Sequence, residues 1–363
     1  AELTMVAFVA MGIISIFVTG NHWKLIFTLW DRFLVPFMAY GLIRLLNSQE
    51  RDLKRLLPPM LFLSLAECVI GLVSWFVPQA LPSIWRSNLV GNRVFGTLGQ
   101  PGAYACVLIF FMVFLYHEAM NRKRGPMRTF LILAFSLGVV CIFFSFTRSV
   151  WLASIFVLLV LLYVYPKSTA SLIAVIVLIM VILSSGVLAR EFAHAYEQYN
   201  GAEKKAQARL VLANAGKRMF YARPVFGWGF GNYDRYDWKF MERVGDTNPT
   251  KPQVRRGTSH HTYLTILAEM GVVGFFLYAF PIIWWLGFTI KALPRLPKEG
   301  FWSRRLLIVM WVPIGAQILI SQAIDMRFFS YCLTLFWINL GFIANLVQAC
   351  LQSSDFGTSK RVM

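Results

Sequence analysis

The chain has 363 residues, 58% hydrophobic and 14% charged, with net charge +18 and a mean hydropathy of +0.60. A soluble domain of this size is about half apolar and a quarter charged, so a single aqueous core is excluded and a polytopic all-α membrane bundle is indicated. The surplus of Lys and Arg would suggest nucleic acid in a soluble chain; here basic loops retained on the cytoplasmic side account for part of it, and no nucleic-acid partner is expected.

A span needs about 20 apolar residues. About ten candidate runs follow along the chain, near 3–20, 33–46, 59–77, 102–119, 129–146, 149–165, 170–189, 262–290, 306–324 and 328–349. The first lacks a basic leader and a clear small-residue cleavage site, so it reads as a span and not a signal peptide. The second is short and is preceded by Asp31 and Arg32. Glu67 lies inside the third and reads as a satisfied polar contact, with a proton relay as the sharper alternative. Cys68, Cys106, Cys141, Cys332 and Cys350 fall in or beside apolar runs without any Cys-x-x-Cys, so they read as small buried hydrophobes.

Short basic loops set the orientation. Arg51, Lys54 and Arg55, then Arg122, Lys123, Arg124 and Arg128, then Lys167, then Lys291, Arg295, Lys298, Arg304 and Arg305 all fall on one side, the cytoplasm. The other side holds 78–101, 190–261 and 325–327, plus the tight turn at Thr147-Arg148. Asp325 and Arg327 read as partners of each other or of neighbours at such a turn. The organisation is therefore one integrated membrane domain: N-terminal helices 1–189, a periplasmic loop region 190–261 and C-terminal helices 262–363.

The loop has 13 Lys and Arg against 7 Asp and Glu, a net charge of +6, which an anionic ligand would explain. Residues 203–222 read as a helix with a stripe at Leu210, Ala213, Lys217 and Phe220, from which Arg209 could project. In Arg223-Pro-Val-Phe-Gly-Trp-Gly-Phe-Gly-Asn232, three glycines forbid regular helix and allow close backbone approach. Trp228 and Phe230 read as loop anchors or as stacking platforms. Residues 233–257 read as a solvated loop. His260 and His261 stand where the loop enters the next span, and Gly271 and Gly274 share one helical face suited to a packed neighbouring helix.

These residues resemble the O-antigen ligase and polymerase family of bacterial membrane glycosyltransferases. His260, His261, nine residues and then Gly271-x-x-Gly274 match the spacing of a family signature, with His261 where Asn, Ser or Gln is usual. Tyr263 and Leu267-Ala268-Glu269 also look like the family, as do Phe95–Gly102, Ser145-Phe-Thr-Arg148-Ser149 and the stretch beginning Arg223-Pro-Val-Phe-Gly-Trp-Gly. Family members have about a dozen spans, so about two would be missing here, on the N-terminal side. The resemblance implies a donor glycan on undecaprenyl pyrophosphate, an acceptor hydroxyl on lipid A–core or another glycan, inversion at the anomeric carbon, surrounding membrane lipids, and no metal or cofactor. It places the site on the periplasmic face of the bacterial inner membrane.

Such a transfer needs a base for the acceptor hydroxyl and positive charge for the departing pyrophosphate. A neutral imidazole supplies the first and guanidinium forks the second. His260 is the candidate base, and Arg148 and Arg223 are the candidate catalytic arginines. Arg209 and Arg218 join Arg148 and Arg223 as pyrophosphate-binding candidates, with His261, Tyr263 and Arg93 secondary and Arg86 on a par with Arg93. Adjacent histidines diverge on a helix and make a poor pair of metal ligands, so no metal site is expected. A ligase is the first reading and a polymerase extending the carrier-linked glycan the second. A transporter or flippase of a lipid-linked or anionic solute is the rival of another class; it predicts broken or charged helices at mid-membrane.

Overall fold

A computed structural model of the chain describes residues 1–20, 23–47, 49–82, 85, 93–183, 207–242, 244 and 258–359. Among them the regular structure is helical, in agreement with the all-α expectation. The helices are α1 (Glu2–Thr19), α2 (Trp23–Leu29), which passes through a π-helical turn (Trp30–Leu34) into α3 (Val35–Leu45), α4 (Glu50–Phe76), α5 (Pro101–Asn121), α6 (Pro126–Phe143), α7 (Arg148–Val164) and α8 (Pro166–Leu183). They continue with α9 (207–222), α10 (Tyr233–Tyr236), α11 (Thr262–Ala292), α12 (Arg304–Ile320) and α13 (Ser330–Ser359).

Each expected span coincides with a helix, with different ends. Seven stretches are long and apolar enough to cross a membrane by length and composition, among the described residues; α7, at 17 residues, is a shorter apolar helix. The run expected over 306–324 ends at Ile320, because 321–324 turn away to carry Asp325 and Arg327. The run over 59–77 begins earlier, at Glu50: Gln49 and Asp52 form a reciprocal cap, and Pro58 and Pro59 are accommodated inside the helix. Residues 184–189, the end of the run over 170–189, lie outside the described residues.

The chain divides into two compact units. One comprises Val35–Leu172, Ile282–Ile320 and Phe329–Met363. Its centre is α5, whose apolar residues are buried on all sides against α4, α6, α7, α12 and α13. Pro101 starts α5 without wasting an N–H, and Gln100 caps it by accepting the Ala103 N–H at 2.7 Å. Glu67 accepts the N–H of Thr97 at 3.0 Å and its hydroxyl as well, so it anchors the segment before α5 as a satisfied polar contact. Four of the five cysteines are buried and none is in a disulfide, as a reading of small apolar side chains expects.

The other unit comprises Ala1–Leu34, Ile173–Pro281 and Ser321–Phe328. Phe8, Phe33, Phe230 and Tyr278 form its aromatic centre, with ring centroids 4.8 to 5.9 Å apart. Helix α9 buries Val211, Leu212, Ala215 and Met219, while Leu210 and Lys217 are exposed. The expected stripe is thus rotated by about one residue. The flaw at Lys217 was the sign: a charged position belongs on the wet face.

Candidate active site

The site is built on a break in a helix. Within α11, Gly271 has φ 65° and ψ −167°. Those angles interrupt the helical ladder, so carbonyls before the break and amides after it need other partners. The segment Arg223–Asn232 supplies them. Trp228 N–H donates to the Ala268 carbonyl at 3.0 Å and Gly229 N–H to that of Glu269 at 2.7 Å; Val272 N–H donates to Pro224 at 2.8 Å and Val273 N–H to Val225 at 3.2 Å. Gly227, Gly229 and Gly231 adopt φ of 69°, 92° and 72°, the left-handed conformation expected of a loop that cannot be helix.

This corrects the expected role of the glycine pair. Gly271 does not offer a smooth helical face to another helix; it breaks the helix, and its packing partner is a loop. A Cβ on Gly274 would fall 2.3 Å from the Met270 Cβ, because the break folds Met270 back over it. The loop is also pinned to α1. Phe230 N–H donates to Ser15 Oγ at 3.1 Å and Asn232 Nδ2 to Thr19 Oγ1 at 3.1 Å.

Beneath the break lies a buried ionic network. Arg327 donates Nε to Asp325 Oδ1 at 2.9 Å, Nη2 to Asp325 Oδ2 at 2.8 Å and Nη1 to Glu269 Oε2 at 2.8 Å, all three residues being at most 3% exposed. Glu269 also accepts the Tyr233 N–H at 3.3 Å, and Asp325 accepts the Thr258 hydroxyl. Burial pushes the Asp325 carboxyl up, but the charge and hydrogen bonds of Arg327 outweigh it and hold the group below its ordinary range. Arg327 is held above its ordinary value, since Asp325 and Glu269 overcome the cost of burial. The expected pairing of Asp325 with Arg327 is found. Glu269 was missed as its second partner; the only signal was a carboxylate inside an apolar run.

The histidines stand on this network. His260 is half-buried with φ 58°, uncommon for a residue with a Cβ, and its N–H donates to Thr258 Oγ1 at 3.3 Å. His261 caps α11: its Nδ1 accepts the Leu264 N–H at 3.2 Å, and its side chain also bonds Gln322. Burial lowers its affinity for a proton, against smaller opposing effects of Gln322 and Asp325. The Nδ1 lone pair of His261 is thereby employed in structure. Thr262 fastens the same turn to 321–326 by accepting the Met326 N–H at 2.9 Å and donating to the Ile324 carbonyl at 3.2 Å. Tyr263 is half-buried with its ring edge-on to His261, centroids 6.0 Å apart.

Arg223, Arg209 and Arg218 belong to the same unit as the histidines. Arg223 follows α9 and lies over the Trp228 ring at 4.1 Å, exposed to solvent. Trp228 is fixed in turn by Nε1 donating to the Met219 carbonyl at 2.8 Å, while Phe230 is fully buried; both are loop anchors. Arg209 is exposed on α9. Arg218 donates to the Phe240 carbonyl at 3.1 Å and pairs with Glu242. The stretch expected as solvated loop is ordered from 233 to 242: α10 buries Tyr233, whose hydroxyl donates to the Leu212 carbonyl and whose acidity burial suppresses. Residues 245–257 lie outside the described residues. A residue not anticipated is Arg32, on the π-helical turn, which lies over the Phe328 ring at 4.1 Å.

Arg148 and Arg93 belong to the other unit. Arg148 is the first residue of α7 and is exposed, after a turn in which Phe146 has φ 45°. Val94 N–H donates to the Phe144 carbonyl at 3.1 Å, which ties the Arg93 segment to that turn. Arg86 lies outside the described residues. No group of three or more His, Cys, Asp or Glu side chains able to hold a metal ion occurs among the described residues.

Residues 132–279 match the family model described as O-Antigen ligase. That segment contains Arg148, α9, the glycine loop, both histidines and the break at Gly271. No curated protein matches the chain. The match supports the O-antigen ligase family, an enzyme of the ligase and polymerase type of membrane glycosyltransferase, and a multi-pass membrane protein acting on lipid-linked glycans.

Proposed function

We propose, on the premise of that match, that the chain is an inverting, metal-independent glycosyltransferase of the bacterial inner membrane. It moves a glycan from undecaprenyl pyrophosphate to a hydroxyl of lipid A–core at the periplasmic face. The observation that carries the reading is the left-handed His260. A residue held in that sparsely populated conformation is found where surrounding structure fixes it; here Thr258, itself bonded to Asp325, accepts the His260 N–H.

His260 takes the proton of the acceptor hydroxyl as that oxygen attacks the anomeric carbon. The bond from that carbon to the pyrophosphate oxygen breaks on the opposite face, which inverts the centre. The departing pyrophosphate carries the electron pair and meets guanidinium charge from Arg223, with Arg209 as a further donor. His261 is not the base, since the cap on Leu264 occupies its Nδ1 lone pair. Tyr263 is a further candidate for contact with the donor.

The same groups would serve a polymerase, since only the acceptor differs. The family match weighs against the transporter reading. The test supplies purified protein with a carrier-linked glycan and either lipid A–core or a second carrier-linked glycan, and identifies the product. Transfer to lipid A–core, its loss in His260→Ala with unchanged thermal unfolding, and indifference to chelators are the expected results. Undiminished transfer by His260→Ala, or a strict metal requirement, refutes the mechanism.

A further inference from the structure

The glycine loop stands at the edge of the membrane, not clear of it. Phe230 and Asn232 are bonded to Ser15 and Thr19, in the last turn of α1, and Arg235 Nη1 donates to the Thr19 carbonyl at 3.2 Å. Glu2–Thr19 is a candidate span, so its last turn marks where hydrocarbon gives way to headgroups. The stretch containing α11, Thr262–Arg295, has 34 residues where about 20 suffice, so its first turns stand outside the hydrocarbon and the break at Gly271 falls near the edge. Non-helical backbone is tolerated at that level only where its polar groups are satisfied. In this loop the N–H groups of Gly227, Trp228, Gly229, Phe230 and Asn232 each have an acceptor.

An apolar face begins at this level. The Pro224 and Val225 carbonyls accept the N–H groups of Val272 and Val273, so Val225 and Phe226 lie beside the first residues after the break. Val225, Phe226, Val272 and Phe276 are all exposed, Phe226 at 65% and Phe276 at 56%, so protein leaves most of both rings uncovered. Val272, Phe276 and Phe280 follow at four-residue spacing on one side of the helix, and the Phe276 and Phe280 rings lie 5.4 Å apart. The face therefore starts at the loop and continues along the span. Arg223 stands at its head: it precedes Pro224 and lies over Trp228, whose N–H is bonded to Ala268 on the other side of the break. Lipid covers apolar faces in any membrane protein; this one has a guanidinium at the level of the headgroups.

We propose that the face formed by Val225, Phe226, Val272 and Phe276 carries the first isoprene units of the donor's polyprenyl chain. This placement rests on the glycosyl-transfer reading, which puts the pyrophosphate on Arg223. Pyrophosphate and chain are covalently joined, so a pyrophosphate held at Arg223 has its chain start beside that residue and enter the hydrocarbon along these side chains. Acyl chains are as apolar as isoprene units, so the contact adds little affinity. It fixes the direction of the chain, and with it the orientation of the pyrophosphate on the guanidinium.

The test is photolabelling of the whole protein in phospholipid vesicles by a polyprenyl pyrophosphate, without glycan, that bears a diazirine on its second isoprene unit. Label is expected on the peptides containing 225–226 and 272–276, and excess unlabelled undecaprenyl pyrophosphate removes most of it. Arg223→Gln is expected to lower labelling about tenfold at limiting probe. Phe226→Ser combined with Phe276→Ser is expected to raise KM for a carrier-linked glycan about threefold. Val6→Ser, which puts the same hydroxyl on an exposed position of α1, leaves KM unchanged. Equal labelling by a phosphatidylglycerol bearing the same diazirine, undiminished by excess carrier, means that bulk lipid covers the face and overturns the proposal; so does carrier label confined to other helices. The probe has no glycan, so labelling is read without turnover. Saturable label on a protein that transfers nothing keeps the carrier face and sinks the glycosyl-transfer reading, whereas transfer with label elsewhere sinks the carrier face alone.

Discussion

Gly227 lies against the backbone just before Gly271, and Gly271 against the backbone just before Gly227, so closely that neither can carry a side chain. A Cβ on Gly227 would fall 2.4 Å from the carbonyl carbon of Glu269, and one on Gly271 would fall 2.2 Å from the carbonyl oxygen of Val225. Both also have φ near 65–70°. Either Gly→Ala change therefore combines left-handed strain with a backbone clash, about 2–4 kcal/mol in all. Gly287 on the same helix has ordinary helical geometry and nothing within 4 Å, so Gly287→Ala should be neutral or stabilise by about 0.5–1 kcal/mol. Thermal unfolding in detergent measures the contrast. Equal melting temperatures for Gly271→Ala and Gly287→Ala would show that the loop does not dock on the break.

Arg327 holds two buried carboxylates at once. Arg327→Met leaves Asp325 and Glu269 facing each other's charge without water, a loss of about 3–5 kcal/mol. Arg327→Lys keeps the charge but cannot make the two-pronged contact with Asp325 together with the third bond to Glu269, so it recovers little. Adding Glu269→Gln to Arg327→Met removes one orphaned charge and should restore part of the melting temperature. Strict additivity of the two changes would mean that the network is not a unit.

Acid should weaken the fold in two stages. His261 has a lowered affinity for protons in the folded state, so its contribution is complete above its unfolded value of about 6.5 and declines as pH falls below it, where the unfolded chain binds the proton more readily. Asp325 is shifted in the same sense, but its contribution is lost only as pH drops from its unfolded value of about 4 through the lower folded value. Between pH 8 and pH 5 part of the loss should therefore belong to His261, and the slope should become shallower in His261→Asn, which keeps a cap acceptor for Leu264. A melting temperature that falls equally in His261→Asn would assign the slope to another group.

Helices were legible in the sequence and their junctions were not. Long apolar runs and starts such as Gly125-Pro126 and Gln100-Pro101 are local signals, and each corresponds to a helix here. The docking of the glycine loop on Gly271 joins residues about 45 positions apart, and each motif by itself resembles an ordinary turn or packing face. Glu269 could be noticed as a charge in an apolar run, but its partner 58 residues later could not. Arg223 was singled out by its motif; that Trp228 carries it required the loop's conformation, which three left-handed glycines set.

The two arginines at the end of α9 should therefore differ in function. Arg218 is engaged by Glu242 and the Phe240 carbonyl, whereas Arg223 lies exposed on an aromatic face that orients it without neutralising it. If positive charge meets the pyrophosphate in the transition state, Arg223→Ala should lower kcat by about 10²–10³-fold. Arg223→Lys keeps charge but not the fork and should recover only part of that loss. Arg218→Ala removes an exposed ion pair worth at most about 1 kcal/mol and should change kcat by less than about fivefold. Trp228→Leu frees Arg223 from its platform, a loss of about 0.5–1 kcal/mol of orientation, and should show mainly in KM for the donor. Turnover measured on a carrier-linked glycan orders the four variants, and an Arg218→Ala enzyme as impaired as Arg223→Ala would move the pyrophosphate contact to Arg218.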